Sequence, residues 1–473
     1  MTQFHSTVSR REFMKALGLT ATGAAALVAP SFNDLDELIG SQSAQFKRAW
    51  WIKNREIDEP TVELDWSQMY RSDGKWTGQD GSCQTYFIGD EERQKRSAQA
   101  SAFSTETLKN GTPGMNLRDR ALSGGLYQAS ISFMGLQSAK TPEQMGVPKW
   151  QGSPEENSKM LRAAARFYGM GTVGFAEIDQ RVKDKLVREY DKAAAHQKYV
   201  FEDVPLGYEA KDKLVFPSAV PLYDMAFLHP LSKEMFRTTP SSDIASAGNS
   251  IRYSQWSIVQ PRLQQFARML GYQIYGYTTP VCGAIPTIAT NTLTGLVEGG
   301  RNNGVCISPE YGTVTGAFSV VMDIPVEPTP PVDAGIWRFC HTCHKCADAC
   351  PTNSISQDNE PSWEIPQIYG KEDNTHVPGK KQFWTNGVDC WSLKATFGGC
   401  HTCMATCTFN TGAAAVHSYV KAALATTPAL NSFLWKADSW WGYGLREDKE
   451  SWWDLAQPTL GFDTSVTAHH KTY

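Results

Sequence analysis

Between Cys340 and Pro351 the chain reads Cys340-His-Thr-Cys343-His-Lys-Cys346-Ala-Asp-Ala-Cys350-Pro351, the spacing C-x2-C-x2-C-x3-C-P. No other feature restricts the fold as much. Three thiolates on one tight loop reach three corners of a cubane. The fourth, at the start of the following helix, points away and serves a second cluster. A second set follows: Cys390, then Cys400-x2-Cys403-x3-Cys407. Under the crossover rule one [4Fe–4S] cluster takes Cys340, Cys343, Cys346 and Cys407, and the other takes Cys350, Cys390, Cys400 and Cys403. The chain has 11 cysteines, and this region leaves none over. Disulfides spread cysteines along a chain, whereas a metal site concentrates them. CxxC pairs also bind zinc, but the x2-x2-x3-Pro run is specific to iron–sulfur ligation. The second set departs from the plain form, because Cys390 stands well upstream of Cys400 and Thr408 replaces the usual Pro. His341, His344 and His401 read as spacers or donors to sulfur. Cys83, Cys282 and Cys306 read as buried bystanders.

Two clusters alone make an electron relay. The long stretch before them should hold the site that uses the electrons. With 473 residues the chain has room for two to four domains and a large core. Hydrophobic residues are 41% and charged residues 20%, which excludes a disordered chain. Lys+Arg is 45 against 49 Asp+Glu, a net charge of -4, so nucleic acid is not an expected partner.

Ser9-Arg10-Arg11-Glu12-Phe13-Met14-Lys15, followed by an Ala- and Gly-rich apolar stretch to Val28, has the layout of a twin-arginine export signal. The apolar stretch is too short to span a bilayer. That route carries folded proteins, which suits a cofactor inserted before export. Residues 1–43 are therefore a signal region. Residues 44–150 read as irregular, with turns at Thr112-Pro113-Gly114 and Gly124-Gly125. A helix starts at Ser153, with Pro154 in its first turn and Glu156 completing a capping box, and stops at Gly169. Gly169-Met-Gly171-Thr-Val-Gly174 matches GxGxxG by letter, but a helix precedes it where a dinucleotide site needs a strand. It reads as a helix stop and a close backbone approach. Residues 181–199 read as a charged helix. Trp256, Val259, Leu263, Phe266 and Leu270 mark an amphipathic helix ended by Gly271, with Pro261 starting or kinking it. Residues 317–326 read as a strand, and the proline-rich 326–331 segment as a stiff linker. The plan is a core over 151–330, a two-cluster ferredoxin-like domain over 331–425 and a Trp-rich tail over 426–473. In the tail, Trp435, Trp440, Trp441, Trp452 and Trp453 either pack over the body, wall an apolar pocket or dock a membrane partner.

The export signal, the long upstream region and the late double-cluster segment together resemble the catalytic subunit of the respiratory reductive dehalogenases. Further matches keep the family's order: Tyr253-Ser254, Leu270-Gly271-Tyr272, Ile285-Pro286, Gly295-Leu296, Gly300-Arg301, Ile307-Ser308-Pro309-Glu310-Tyr311-Gly312 and Asp323-Ile324-Pro325. The resemblance covers essentially the whole chain. It implies an α+β fold with a nitroreductase-like corrinoid-binding core and a C-terminal double-cluster ferredoxin-like domain. It also implies a cobalamin-type corrinoid held base-off, without an Asp-x-His-x-x-Gly motif. None occurs here.

The implied chemistry sends electrons through the clusters to a Co(I) corrinoid that attacks a small apolar organohalide, while a tyrosine supplies a proton. Tyr253 matches the family's catalytic Tyr. The family's Arg before the Asp-x-Pro strand has no counterpart between Val305 and Pro325, and its Asn or Lys partner falls on Thr279. Arg252 and Arg301 are the candidate stand-ins, and Arg301 is taken with Tyr253 as the catalytic pair. The family further implies a small integral-membrane anchor subunit, an upstream respiratory electron donor and a peripheral place on the outer face of the cytoplasmic membrane. Two other readings stand beside this one: an exported iron–sulfur electron-transfer subunit without corrinoid, and an epoxyqueuosine reductase-like corrinoid enzyme.

Overall fold

In the computed structural model, residues 48–461 are described apart from 50, 194, 411–414, 428–430 and 432–443. The signal region and Trp435, Trp440 and Trp441 lie outside the described residues.

Alternating apolar residues build a four-stranded antiparallel sheet. Its strands are β2 (Thr172–Glu177), β6 (Tyr223–Pro230), β8 (Thr315–Met322) and β7 (Ile274–Tyr275), in the order β2-β6-β8-β7. Val173 and Phe175, Met225 and Phe227, and Phe318, Val320 and Met322 all join one buried cluster, as the two-residue period of a strand requires. A second sheet orders β3 (Lys198–Glu202), β5 (Lys213–Pro217) and β4 (Tyr208–Glu209) as β3-β5-β4. Phe133, Tyr199, Phe216 and Tyr275 pack at that sheet. The first of two further short strands, β1 (Lys53–Asn54), pairs with β9 (Val332–Asp333), so the start of the described chain is stitched to the segment that leads into the cysteines.

Helix α1 (Gly81–Lys109) overturns the irregular reading of 44–150 for its own length. Asp80 caps it, accepting from Ser82 N at 2.8 Å. The helix is polar on every side and interrupted at Gly89 (φ 79°), so it carries no apolar stripe to recognise. Helix α2 (Pro154–Phe167) forms as expected, with Ser153 N donating to Glu156 at 2.9 Å and Glu156 N donating to Ser153 Oγ at 3.2 Å. The GxGxxG letters behave as a stop and a close approach. Gly169 has φ 111°, and a Cβ on Gly174 would lie 2.8 Å from Thr294.

The charged helix expected over 181–199 is short, covering only Gln180–Lys185. Beyond it, amides pair with distant carbonyls rather than one turn back: Arg188 N with Ala284 O and Glu189 N with Ser72 O, both at 2.8 Å. Helix α3 (Asp243–Leu270) starts well before Trp256, because its first turns are small and polar and lack the apolar step that marked the rest. Ser242 caps it, Pro261 lies inside it, and Gly271 ends it at φ 89°. Trp256, Val259, Leu263 and Ala267 seat this helix on the first sheet. Helix α4 (Thr287–Leu293) also packs on β2, β6 and β8. Helices α5 (Ile336–Thr342) and α6 (Gly387–Thr396) belong to the cysteine region, and α1 packs against α6, with Arg96 donating to Ser392 Oγ at 3.0 Å.

Trp452 is buried beside Met235, Ile244 and Ala247. Trp453 Nε1 donates to Asp119 at 2.8 Å. These two tail tryptophans pack on the body. Among the described residues no helix is long and apolar enough to cross a membrane.

Candidate active site and cysteine centres

Helix α3 carries Arg252 and Tyr253 on consecutive positions. The Tyr253 ring rests against the main core cluster, edge-on to Phe318 at 6.3 Å. Arg252 reaches back over that ring, 4.6 Å from its centre, and its Nη2 donates to the phenol oxygen at 2.7 Å. Arg252 Nη1 also reaches Thr315 O at 3.4 Å. The strand bearing Thr315 thus braces the guanidinium.

A second cation, Lys192, lies within electrostatic reach of the phenol, and no local sequence pattern marks it. Lys192 is half-buried, with Nζ donating to Thr77 Oγ1 at 3.0 Å and Gln79 Oε1 at 3.4 Å. Burial pulls its ammonium down, while Cys282, Asp80 and Tyr253 pull it back up. Its position comes from the irregular chain after Tyr190, where Asp191 accepts from Thr278 Oγ1 at 2.7 Å. Thr279, where the family's polar partner would fall, is instead bridged to Cys282.

Arg301 is not brought to Tyr253. It is fully buried, and its guanidinium donates to backbone carbonyls of the cysteine region: Cys343 at 2.8 Å, Cys340 and Ser356 at 2.9 Å and Asp358 at 2.6 Å. Pairing Arg301 with Tyr253 is therefore corrected. A guanidinium offers five donors in a fixed fork, and here that fork is turned to the loop of the first cysteines.

The cysteines gather in two neighbouring groups. Cys346 lies within electrostatic reach of Cys340, Cys343 and Cys407. Cys403 lies within reach of Cys390, Cys400 and Cys350, and of Cys346 across the boundary between the groups. The short helices Lys345–Asp348 and Thr402–Ala405, which carry Cys346 and Cys403, pack together. A cavity of about 30 Å³ opens between Cys340, Cys343, Cys346 and Cys407, walled by Phe339 and Phe409. Burial, with mutual repulsion among the sulfurs, pushes the Cys340, Cys346 and Cys403 thiols well up. Such crowded buried thiols suit a cationic metal centre, whose charge turns them into thiolates. No three His, Cys, Asp or Glu among the described residues converge on a position for a single metal ion. In the second group Cys350 accepts from Ser354 N at 3.3 Å. Cys350 and Cys400 each meet a threonine hydroxyl, Thr352 at 3.5 Å and Thr402 at 3.4 Å. Hydrogen bonds to sulfur are a means of setting a cluster's potential.

Of the interspersed histidines, His341 meets Glu360 at 3.2 Å, and His344 meets Gln357 and Asn359 at 3.1 Å each. Cys83 and Cys306 are buried, with thiols pushed up to about 12 and about 11 by burial. Among the described residues, the buried donors Arg252 Nε and Asn303 Nδ2 find no partner. They are suited to a ligand rimmed by amides, as a corrinoid is.

A family model described as a reductive dehalogenase subunit matches residues 47–326. The chain is 29% identical over 539 residues to the chloroethene reductive dehalogenase of Dehalococcoides mccartyi (strain VS), covering 98% of this chain and 99% of that protein. It is 29% identical over 326 residues to the tetrachloroethene reductive dehalogenase of Sulfurospirillum multivorans, covering 66% of this chain and 61% of that one. The structure superimposes on the catabolic reductive dehalogenase NpRdhA with a TM-score of 0.62 at 16% identity, over 91% of this chain and 55% of that chain. A reductive dehalogenase structure described as pointing to a B12-dependent mechanism gives a TM-score of 0.60 at 15% identity, over 90% of this chain and 53% of that chain. This chain thus spans about half the length of those two solved proteins, which share its α+β fold.

Proposed function

This chain belongs to the reductive dehalogenase family of oxidoreductases acting on carbon–halogen bonds, and from that premise we propose that it replaces a halogen of a small apolar organohalide by hydrogen. The balance is R–X plus two electrons and a proton giving R–H and halide. The observation that carries the electron route is the gathering of eight cysteines into two groups of four beside a core that matches the family. Cys340, Cys343, Cys346 and Cys407 would hold one [4Fe–4S] cluster, and Cys350, Cys390, Cys400 and Cys403 the other.

When bound, a corrinoid supplies a Co(I) centre that breaks the carbon–halogen bond. Arg252 Nε and Asn303 Nδ2 would donate to its amide rim. Tyr253 would give the proton to carbon. Arg252, on the phenol oxygen, and Lys192, in the same field, would stabilise the phenolate left behind, because a nearby cation favours the charged form. Arg252 would thus take the part that the sequence assigned to Arg301.

The relatives act on chlorinated ethenes by name, and these are the substrates to try first. The twin-arginine pattern supports export, a peripheral place on the outer face of the cytoplasmic membrane, a small membrane-anchor subunit and a respiratory electron donor. The test is halide release from a panel of chlorinated ethenes, ethanes and aromatics. It uses anaerobic protein loaded with iron, sulfide and corrinoid, and a low-potential viologen as donor. Release from at least one member is expected. No release from any member by fully loaded protein would contradict the proposal.

A further inference from the structure

Glu298 and Arg301 are separated by two glycines and do not pair with each other. They grip opposite ends of the same helix. The Glu298 carboxyl, buried to 1% exposure, accepts from Ala334 N at 2.8 Å, Ile336 N at 3.3 Å and Trp337 N at 2.9 Å. These amides form the N-terminal entry of α5, whose own capping position, Gly335, offers no side chain. Arg301 donates to the carbonyls of Cys340 and His341 in the last turn of α5 and of Cys343 just beyond it, at 2.9, 3.3 and 2.8 Å. Phe383 lies under the guanidinium at 4.3 Å.

Helix ends leave amides unpaired at the start and carbonyls unpaired at the finish. The helix dipole favours an acid at the first and a base at the second. Glu298 and Arg301 meet both needs from one four-residue turn outside the helix. Ile307 holds that turn, exchanging backbone hydrogen bonds with Glu298 at 3.0 and 3.2 Å. The intervening Gly300 is required by the approach: a Cβ there would stand 2.5 Å from Ile307 Cδ1 and 3.4 Å from Cys340 Sγ.

We infer that Glu298 and Arg301 are positioning residues that clamp the Cys340 helix to the catalytic core, and that the Arg301 charge raises the reduction potential of the cluster held by Cys340, Cys343, Cys346 and Cys407. The inference rests on the cluster reading above. Arg301 sits within electrostatic reach of Cys340, Cys343 and Cys346. Reduction adds negative charge to the cluster, so a fixed buried cation favours the reduced form. The same turn ties cluster to core by hydrogen bonds rather than by a flexible linker.

The test is a redox titration of reconstituted wild-type, Arg301→Met and Arg301→Lys holoenzymes, followed by electron paramagnetic resonance so that each cluster is read separately. Arg301→Met moves one midpoint to more negative values and leaves the other in place, and Arg301→Lys restores part of the shift. Glu298→Gln keeps the guanidinium and removes only negative charge, so it perturbs the signal of that same cluster without the negative midpoint shift of Arg301→Met. If Arg301→Met is insoluble, Arg301→Lys carries the comparison, with a perturbed signal in one cluster expected. Both midpoints and both line shapes unchanged in soluble, fully iron-loaded Arg301 variants would overturn the clamp. Wild-type protein with no cubane signal would overturn the cluster reading itself.

Discussion

Arg252 Nη2 donates to the hydroxyl of Tyr253, its immediate neighbour in the chain, at 2.7 Å. Consecutive helical residues point to different sides. The contact exists because the long Arg252 stem folds back over the tyrosine ring. A helix that shows only one of these residues to a substrate can therefore still deliver a cation to its phenol.

Tyr253→Phe removes the proposed proton donor and keeps the ring that packs on Phe318. Turnover should fall by about 10²–10⁴-fold, the usual worth of a positioned acid, with iron and cobalt content unchanged. Steady-state halide release alongside metal analysis checks this.

Lys192→Met removes a cation from the phenol's surroundings. Loss of that charge disfavours the phenolate, so the basic limb of the pH–rate profile should move to higher pH. The partner variant Arg252→Met should move it in the same direction. A limb that stays put in both variants would show that neither cation acts on Tyr253.

Cys346→Ser and Cys403→Ser each strike one cysteine group. Each should cost roughly half of the iron and one of two cubane signals, and the lost signals should differ. Cys83→Ser, at a buried thiol outside both groups, should leave both signals intact.

Trp256 is fully buried and stacks on Phe318 at 4.6 Å with the rings nearly parallel. Trp256→Ala opens a cavity between α3 and the first sheet and should cost about 3–5 kcal/mol. Chemical denaturation reads this directly, and activity should fall with it because Tyr253 rides on the same helix.

His229 lies in β6, and burial pulls its imidazole from 6.5 down to about 4. Between those values the unfolded chain binds a proton that the folded one refuses. Stability is therefore lost as pH falls through that window, by about 3 kcal/mol at most. His229→Gln should flatten the acid limb of a pH–stability curve between pH 6.5 and 4.

The parts legible in the sequence were those whose determinants lie close together in it. The cysteine spacing places ligands within one loop, and the Ser153–Glu156 capping box closes within one turn. The amphipathic half of α3 announces itself by its steps of three and four. Helix α1 is not legible because it buries so little that no periodicity marks it. The expected helix over 181–199 failed because its amides find partners at Ala284 and Ser72, which no local pattern records. The site suffered in the same way. Order along the chain puts Arg301 beside Tyr253, yet the fold turns it toward Cys340 and Cys343. Lys192 is not legible in the sequence because Thr77, Gln79 and Tyr253, with which it interacts, are far from it along the chain.

In the proposed function this chain joins two iron–sulfur clusters to a corrinoid in one carbon–halogen reductase. Cobalt and iron measured together on anaerobically prepared, corrinoid-supplied protein test it most directly. About eight irons and about one cobalt per chain are expected, for two cubanes and one corrinoid. Eight irons without cobalt would contradict it and leave the exported electron-transfer subunit as the better description.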